Sequence, residues 1–290
     1  MTVPPPPWTH LVSSWSCMDC NCKVRQAEIY YEDLGEGKPI LMIHGYSPDH
    51  RLMSGCMEPI FTKREGWRRI YIDLPGMGLT KEYNEISSSD EMLNAVLDFI
   101  QAVIPNQEYV IAGESYGGYI ARGIIEKHQE QILGAAFICP LIIPFKKNIT
   151  VEKHKILRTD EKFIENLSKG ELEDFRKNNI VLDEYTWLRY NKEILSGCKI
   201  GDEKFLNKVK HKYGFSFKID QTDFIKPSVF LLGRQDSSVG YKDALDIINK
   251  YPRGTFAVLD IAGHNLQIDQ PQLFSTLLNE WLDRIEEFQN

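Results

Sequence analysis

One short stretch restricts this chain more than any other: Tyr109-Val-Ile-Ala-Gly-Glu-Ser-Tyr-Gly-Gly-Tyr119. Tyr109 to Ala112 is an apolar run that reads as a buried strand. It passes directly into Gly113-Glu114-Ser115-Tyr116-Gly117, and then into the helical spacing of Ile120, Ile124 and Ile125. G-x-S-x-G carries meaning in this strand–turn–helix setting. A turn this sharp leaves no room for side chains two residues before and two residues after the serine. Glycine at both places lets strand and helix approach, and the serine is expected in a strained backbone conformation with its hydroxyl presented. Ser115 is therefore the candidate nucleophile.

The rest of the chain supplies a frame for that turn. Gln26–Tyr31, Pro39–Ile43, Arg69–Asp73, Gly134–Cys139, Ser228–Gly233 and Thr255–Ile261 read as further strands, several of them apolar throughout. Runs of that kind belong to parallel strands covered on both faces. Helices are expected from about Ser88, where Ser88-Ser-Asp-Glu91 forms a capping box, from the serine turn to about His128, over Tyr241–Tyr251, and over Pro271–Phe288. Strands alternating with helices give a parallel sheet with helices on both faces. Residues 145–225 interrupt this alternation with a Lys-, Glu- and Asn-rich segment of helical pattern and no clear strand. It is expected to be a helical insertion over the C-terminal ends of the strands, where open α/β sheets bind ligands. Residues 1–25, with Pro4 to Pro7 and the cluster Cys17-Met-Asp-Cys20-Asn-Cys22, read as a flexible leader. A second ligand pair at zinc spacing is missing from the sequence, so the cysteines are not read as a metal site.

A serine hydroxyl near neutral pH needs a histidine base, and the base needs a carboxylate to orient it. Of the seven histidines, His264 follows a buried strand directly, in Ile261-Ala-Gly-His-Asn265. The acid should leave the same edge of the sheet, and Asp236 does so in Gly233-Arg-Gln-Asp236. An alternative acid position, after the strand ending at Cys139, carries Cys139-Pro140 and no carboxylate. Oxyanion donors are expected from the backbone N–H groups of Tyr116, after the nucleophile, and Tyr46, in the His44-Gly45-Tyr46 loop. His44 reads as a structural residue of that loop, and Asp73-Leu-Pro-Gly-Met-Gly78 as a turn without chemistry. With His264 as base, activity should fall on the acid side of about pH 6–7.

The order Ser115…Asp236…His264, together with His44-Gly45, Asp73-Leu-Pro-Gly-Met-Gly78, Gly113-Glu-Ser-Tyr-Gly-Gly118 and Gly263-His264, resembles the α/β-hydrolase superfamily from about residue 26 onward. The resemblance implies a mostly parallel eight-stranded sheet whose core is residues 26–144 and 226–290, with a helical cap at 145–225 inserted after the sixth strand. It implies no cofactor and no metal. Ser115 stands where haloalkane dehalogenases and epoxide hydrolases of the superfamily carry an aspartate, which disfavours those activities. The expected reaction is hydrolysis of carboxylic esters or lactones of small to medium soluble substrates. The same triad could serve thioester, amide or C–C bond hydrolysis or perhydrolysis, and the fold could also serve a ligand-binding protein without turnover.

The formal net charge of −7 and pI near 5.6 argue against a general nucleic-acid or anionic-membrane partner. The sequence contains no apolar run of about 18 residues, the length that would span a membrane, and no secretory pattern at its start. A cytoplasmic location is the resulting expectation.

Overall fold

The computed structural model describes residues 16–288. It opens with three strands: β1 (Ser16–Lys23), β2 (Glu28–Leu34) and β3 (Lys38–Ile43). Helix α1 (Arg51–Phe61), β4 (Trp67–Ile72), α2 (Ser89–Val103), β5 (Tyr109–Glu114), α3 (Tyr116–His128) and β6 (Ile132–Ile138) follow. The chain then leaves the sheet through β7 (Arg158–Thr159), α4 (Glu161–Ile164), α5 (Lys169–Asn178), β8 (Val181–Leu182), α6 (Glu184–Tyr190), α7 (Ser196–Cys198) and α8 (Glu203–Lys210). It returns as β9 (Ser228–Gly233), α9 (Lys242–Leu245), β10 (Gly254–Leu259), α10 (Leu266–Asp269) and α11 (Pro271–Phe288).

The main sheet has eight strands in the order β1-β2-β4-β3-β5-β6-β9-β10. Strands β4, β3, β5, β6, β9 and β10 run parallel, while β2 is antiparallel to both β1 and β4. The central strands are buried along almost their whole length: every residue of β5, β6 and β9 is buried. Continuous apolar sequence is the cause, because a strand with helices on both faces has no wet side to leave polar. Helices α1 and α11 contact each other in one layer, and α2 and α3 in the other. The segment between β6 and β9 forms a helical cap. Two-residue strands β7 and β8 pair in parallel within it, although no strand is legible there in the sequence.

Several expectations need correction. Part of the leader assigned to residues 1–25 is an edge strand: β1 pairs antiparallel with β2 from Ser16↔Leu34 to Lys23↔Glu28. The reason is a period-two pattern that the cysteines disguise. Cys20, Cys22 and Val24 are buried or half-buried, whereas Asn21, Lys23 and Arg25 are exposed. Within β1, Cys20 is disulfide-bonded and Cys22 is a free thiol. Pro4 to Pro7 lie outside the described residues. The stretch Tyr241–Tyr251 is not one helix: α9 ends at Leu245, and a 3-10 turn covers Ile248–Lys250. At the start of α2, Ser88 Oγ accepts the Glu91 N–H, but the Glu91 carboxylate accepts the Ser87 N–H at 2.6 Å, one residue before the cap.

Candidate active site

The Ser115 turn has the geometry its glycines require. Ser115 sits at φ 52°, ψ −114°, a region where a side chain is strained. A Cβ at Gly113 would come within 2.5 Å of the Gly117 carbonyl carbon, and a Cβ at Gly117 within 2.1 Å of the Ile43 carbonyl oxygen. Strand β5, helix α3 and the end of β3 therefore close on one another only with glycine at both places. The Ser115 N–H donates to Ile138 O, and its own carbonyl accepts from Tyr119 and Leu141. The strain is held by hydrogen bonds to two neighbouring elements.

The structure brings Ser115, Asp236 and His264 together. Ser115 Oγ lies 3.0 Å from His264 Nε2, and His264 Nδ1 lies 2.8 Å from Asp236 Oδ2. The other Asp236 oxygen accepts the N–H groups of Ser238 at 2.7 Å and Val239 at 3.0 Å. Burial opposes a charge on Asp236, but His264 and those two N–H groups outweigh it and hold the carboxyl below the usual range. An ionised Asp236 can only accept, so Nδ1 carries the proton and donates, and in the neutral ring Nε2 is left to accept from the serine hydroxyl. Desolvation works against the imidazolium of His264, but Asp236 and Glu114 prevail and hold its pKa up at about 9. This moves the expected acid-side loss of activity above the pH 6–7 read from the sequence.

The turn carrying His264 is fastened on both sides. Asp269 accepts the Gly263 N–H at 2.8 Å, and the Cys139 thiol lies 3.5 Å from Gly263 O. Cys139, which occupies the alternative acid position, thus braces the histidine turn. From the cap, Asn179 Oδ1 and Asn178 O accept from Asn265 Nδ2 at 2.9 and 3.2 Å.

The second loop is equally ordered. Leu74 N–H donates to His44 Nε2 at 3.0 Å, so His44 Nδ1 carries the proton and donates to Gly45 O at 2.7 Å. Burial keeps His44 neutral by pushing its pKa down. Tyr116 is the first residue of α3, and its N–H has no acceptor within the helix. The Tyr46 ring meets that of Tyr116 edge-on at 5.0 Å, and its hydroxyl donates to Leu206 O of α8. Tyr213, on the chain returning from the cap, stacks on Tyr116 at 4.9 Å. These contacts join the cap and the Ser115 turn.

Among the described residues, two groups of side chains have the spacing of metal ligands: Cys139/Asp236/His264 and Asp49/His50/Asp73. In both, the donors are already committed. Asp236 holds His264 and two N–H groups; Asp73 accepts from His50 and from the Leu79 N–H; Asp49 pairs with Arg51.

Sequence reasoning missed Glu114, whose side chain is buried beside His264. Its signal is a carboxyl at the end of an otherwise apolar buried run. It also missed Asn179 and Tyr213, which lie far from the core motifs in sequence and meet them only through the fold.

Residues 38–271 match the family model described as the alpha/beta hydrolase fold. The chain is similar to an alpha/beta superfamily hydrolase from Oenococcus oeni PSU-1 of known crystal structure. Identity is 30%, the TM-score is 0.85, and the match covers 92% of this chain and 99% of that one. It is 31% identical over 104 residues to AB hydrolase superfamily protein YisY of Bacillus subtilis, covering 35% of this chain and 37% of that protein's length. It is also 20% identical over 268 residues to 2-hydroxy-6-oxo-6-(2'-aminophenyl)hexa-2,4-dienoic acid hydrolase of Metapseudomonas resinovorans, covering 89% and 88% of the two chains. With its sheet order, helical cap and these matches, the chain belongs to the α/β-hydrolase fold family.

Proposed function

We propose that this protein is a serine hydrolase that cleaves carboxylic esters or lactones of small to medium substrates through an acyl-enzyme on Ser115. The observation that carries the reading is the unbroken relay from Ser115 Oγ through His264 to Asp236, at 3.0 and 2.8 Å. His264 Nε2 takes the hydroxyl proton as Oγ attacks the carbonyl carbon. The oxyanion is held by the backbone N–H groups of Tyr46 and Tyr116, and the leaving alkoxide receives the proton from Nε2. A water then gives its proton to Nε2 and its oxygen to the acyl carbon, and Ser115 recovers its hydrogen.

A second reading uses the same residues on another bond. The similarity along most of the chain to the hexadienoic acid hydrolase favours including such substrates. The test is intact mass after incubation with a fluorophosphonate, followed by a panel of esters, lactones, thioesters and dienoic acids. One adduct on the native protein and none on Ser115→Ala is the expected result. Equal labelling of both proteins, or turnover that survives Ser115→Ala, would remove the reading.

A further inference from the structure

Glu114, the last residue of β5, is 2% exposed. Its Oε1 lies 3.4 Å from His264 Nε2, the ring nitrogen that also meets Ser115 Oγ, whereas Asp236 meets Nδ1. Its Oε2 fills the space left by the absent side chain of Gly45, where a Cβ would approach it to 2.3 Å. We propose that Glu114 is a positioning residue of the same centre, a second carboxyl that stabilises the imidazolium formed when Ser115 gives its proton to His264. Its consequence for turnover rests on the serine-hydrolase reading above.

The two carboxyls on His264 are supported differently. Asp236 accepts two backbone N–H groups and is provided for as an anion whatever the state of the ring. Glu114 accepts no hydrogen bond from backbone N–H or hydroxyl groups among the described residues, and its one ionic partner there is His264. A buried carboxylate without donors is disfavoured unless a cation faces it. Charge on Glu114 and charge on His264 therefore favour each other. Burial pushes Glu114 up to about 7, in keeping with a group that is charged only with help.

The other groups around the pair do not supply that help. Ser115 and Asp236 meet the ring directly, while Cys139 and Asp269 touch its turn at Gly263. Cys56, Cys198 and Tyr213, which feel the Glu114 charge, are all pushed upward by burial and stay neutral. Raising the basicity of His264 through Glu114 makes the ring a stronger base for serine. It also makes the ring protonate at higher pH, so the acid limb of activity reports on Glu114.

The test reads the ring directly. The His264 imidazole is titrated by nuclear magnetic resonance in Ser115→Ala, with and without Glu114→Gln, and the pH dependence of fluorophosphonate labelling is followed in Glu114→Gln alone. The expected result is a midpoint above the ordinary 6.5 that falls by at least about one pH unit in Glu114→Gln, with the labelling limb shifting equally. Glu114→Asp, which restores the charge, should recover part of the shift. An unchanged midpoint in folded Glu114→Gln would overturn the proposal. So would a midpoint at or below about 6.5 with Glu114 in place, which needs no Glu114 variant. Failure of the serine-hydrolase reading looks different: labelling is absent while the ring still titrates high.

Discussion

Removing Asp220 should cost this protein about 3–5 kcal/mol of stability, the size typical of a buried charge stripped of its partner. Arg122, on α3, is 3% exposed and Asp220 is 8% exposed. The guanidinium donates to both Asp220 oxygens through Nε and Nη2, and through Nη1 to the carbonyls of Leu141 and Ile142 at 3.0 and 3.2 Å. Tyr251 adds a hydroxyl donor to Asp220 at 2.9 Å. The pair thus ties the chain leaving β6 to the chain returning from the cap. The Leu141 N–H donates in turn to the Ser115 carbonyl at 2.9 Å, which carries the tie to the Ser115 turn. In Asp220→Ala the cation keeps two carbonyl partners but no counter-charge, and Tyr251 loses its acceptor. Asp220→Asn keeps one acceptor oxygen but no charge, turns the other oxygen into a donor, and should fall between. Arg122→Met with Asp220→Ala removes the stranded cation and should cost less than the sum of the singles by at least about 2 kcal/mol. Urea unfolding at constant m-value measures all of these, and labelling at Ser115 shows whether the turn shifts. A loss below about 1 kcal/mol in Asp220→Ala, or strict additivity in the double variant, would refute the reasoning.

Asp236→Asn should reduce fluorophosphonate labelling and ester turnover by about 10^3- to 10^4-fold with the fold intact, because an amide cannot hold the donating Nδ1 tautomer; a loss under about tenfold would speak against the relay. His50 gives a stability prediction with a definite sign. Desolvation opposes its charge, but Asp73 at 2.9 Å and Glu32 at 3.3 Å outweigh it and raise its pKa from 6.5 to about 10. A raised folded value means the stabilisation is complete below about pH 6.5 and is lost as pH rises through about 10. Urea unfolding between pH 7 and pH 10 should show that decline in the native protein and a flatter profile in His50→Gln, and equal slopes would contradict it.

The sheet was legible in the sequence because its strands are apolar on both faces and are punctuated by turn residues at their ends. That pattern follows from burial alone and needs no partner to be identified. Strand β1 was not legible in the same way. Cys20-Asn-Cys22-Lys-Val24-Arg alternates as an edge strand should, but cysteine spacing admits a metal or a disulfide as readily as a strand. In the cap, short helices rest on the core through isolated contacts such as Tyr213 on Tyr116 and Asn179 on Asn265. Such contacts leave no periodicity to read.

For the candidate site, local sequence was enough to place Ser115, Asp236 and His264 at strand ends and to require glycine at 113 and 117. Strand direction puts the ends of parallel strands on one edge, and a tight turn excludes side chains whatever surrounds it. The tertiary structure alone decided the charge balance around His264. Glu114 is one residue from Ser115 in sequence, yet its burial and its 3.4 Å approach to Nε2 depend on β5, Gly45 and the histidine turn closing together. Coulomb energy and desolvation depend on distance and surroundings, which a linear sequence does not contain.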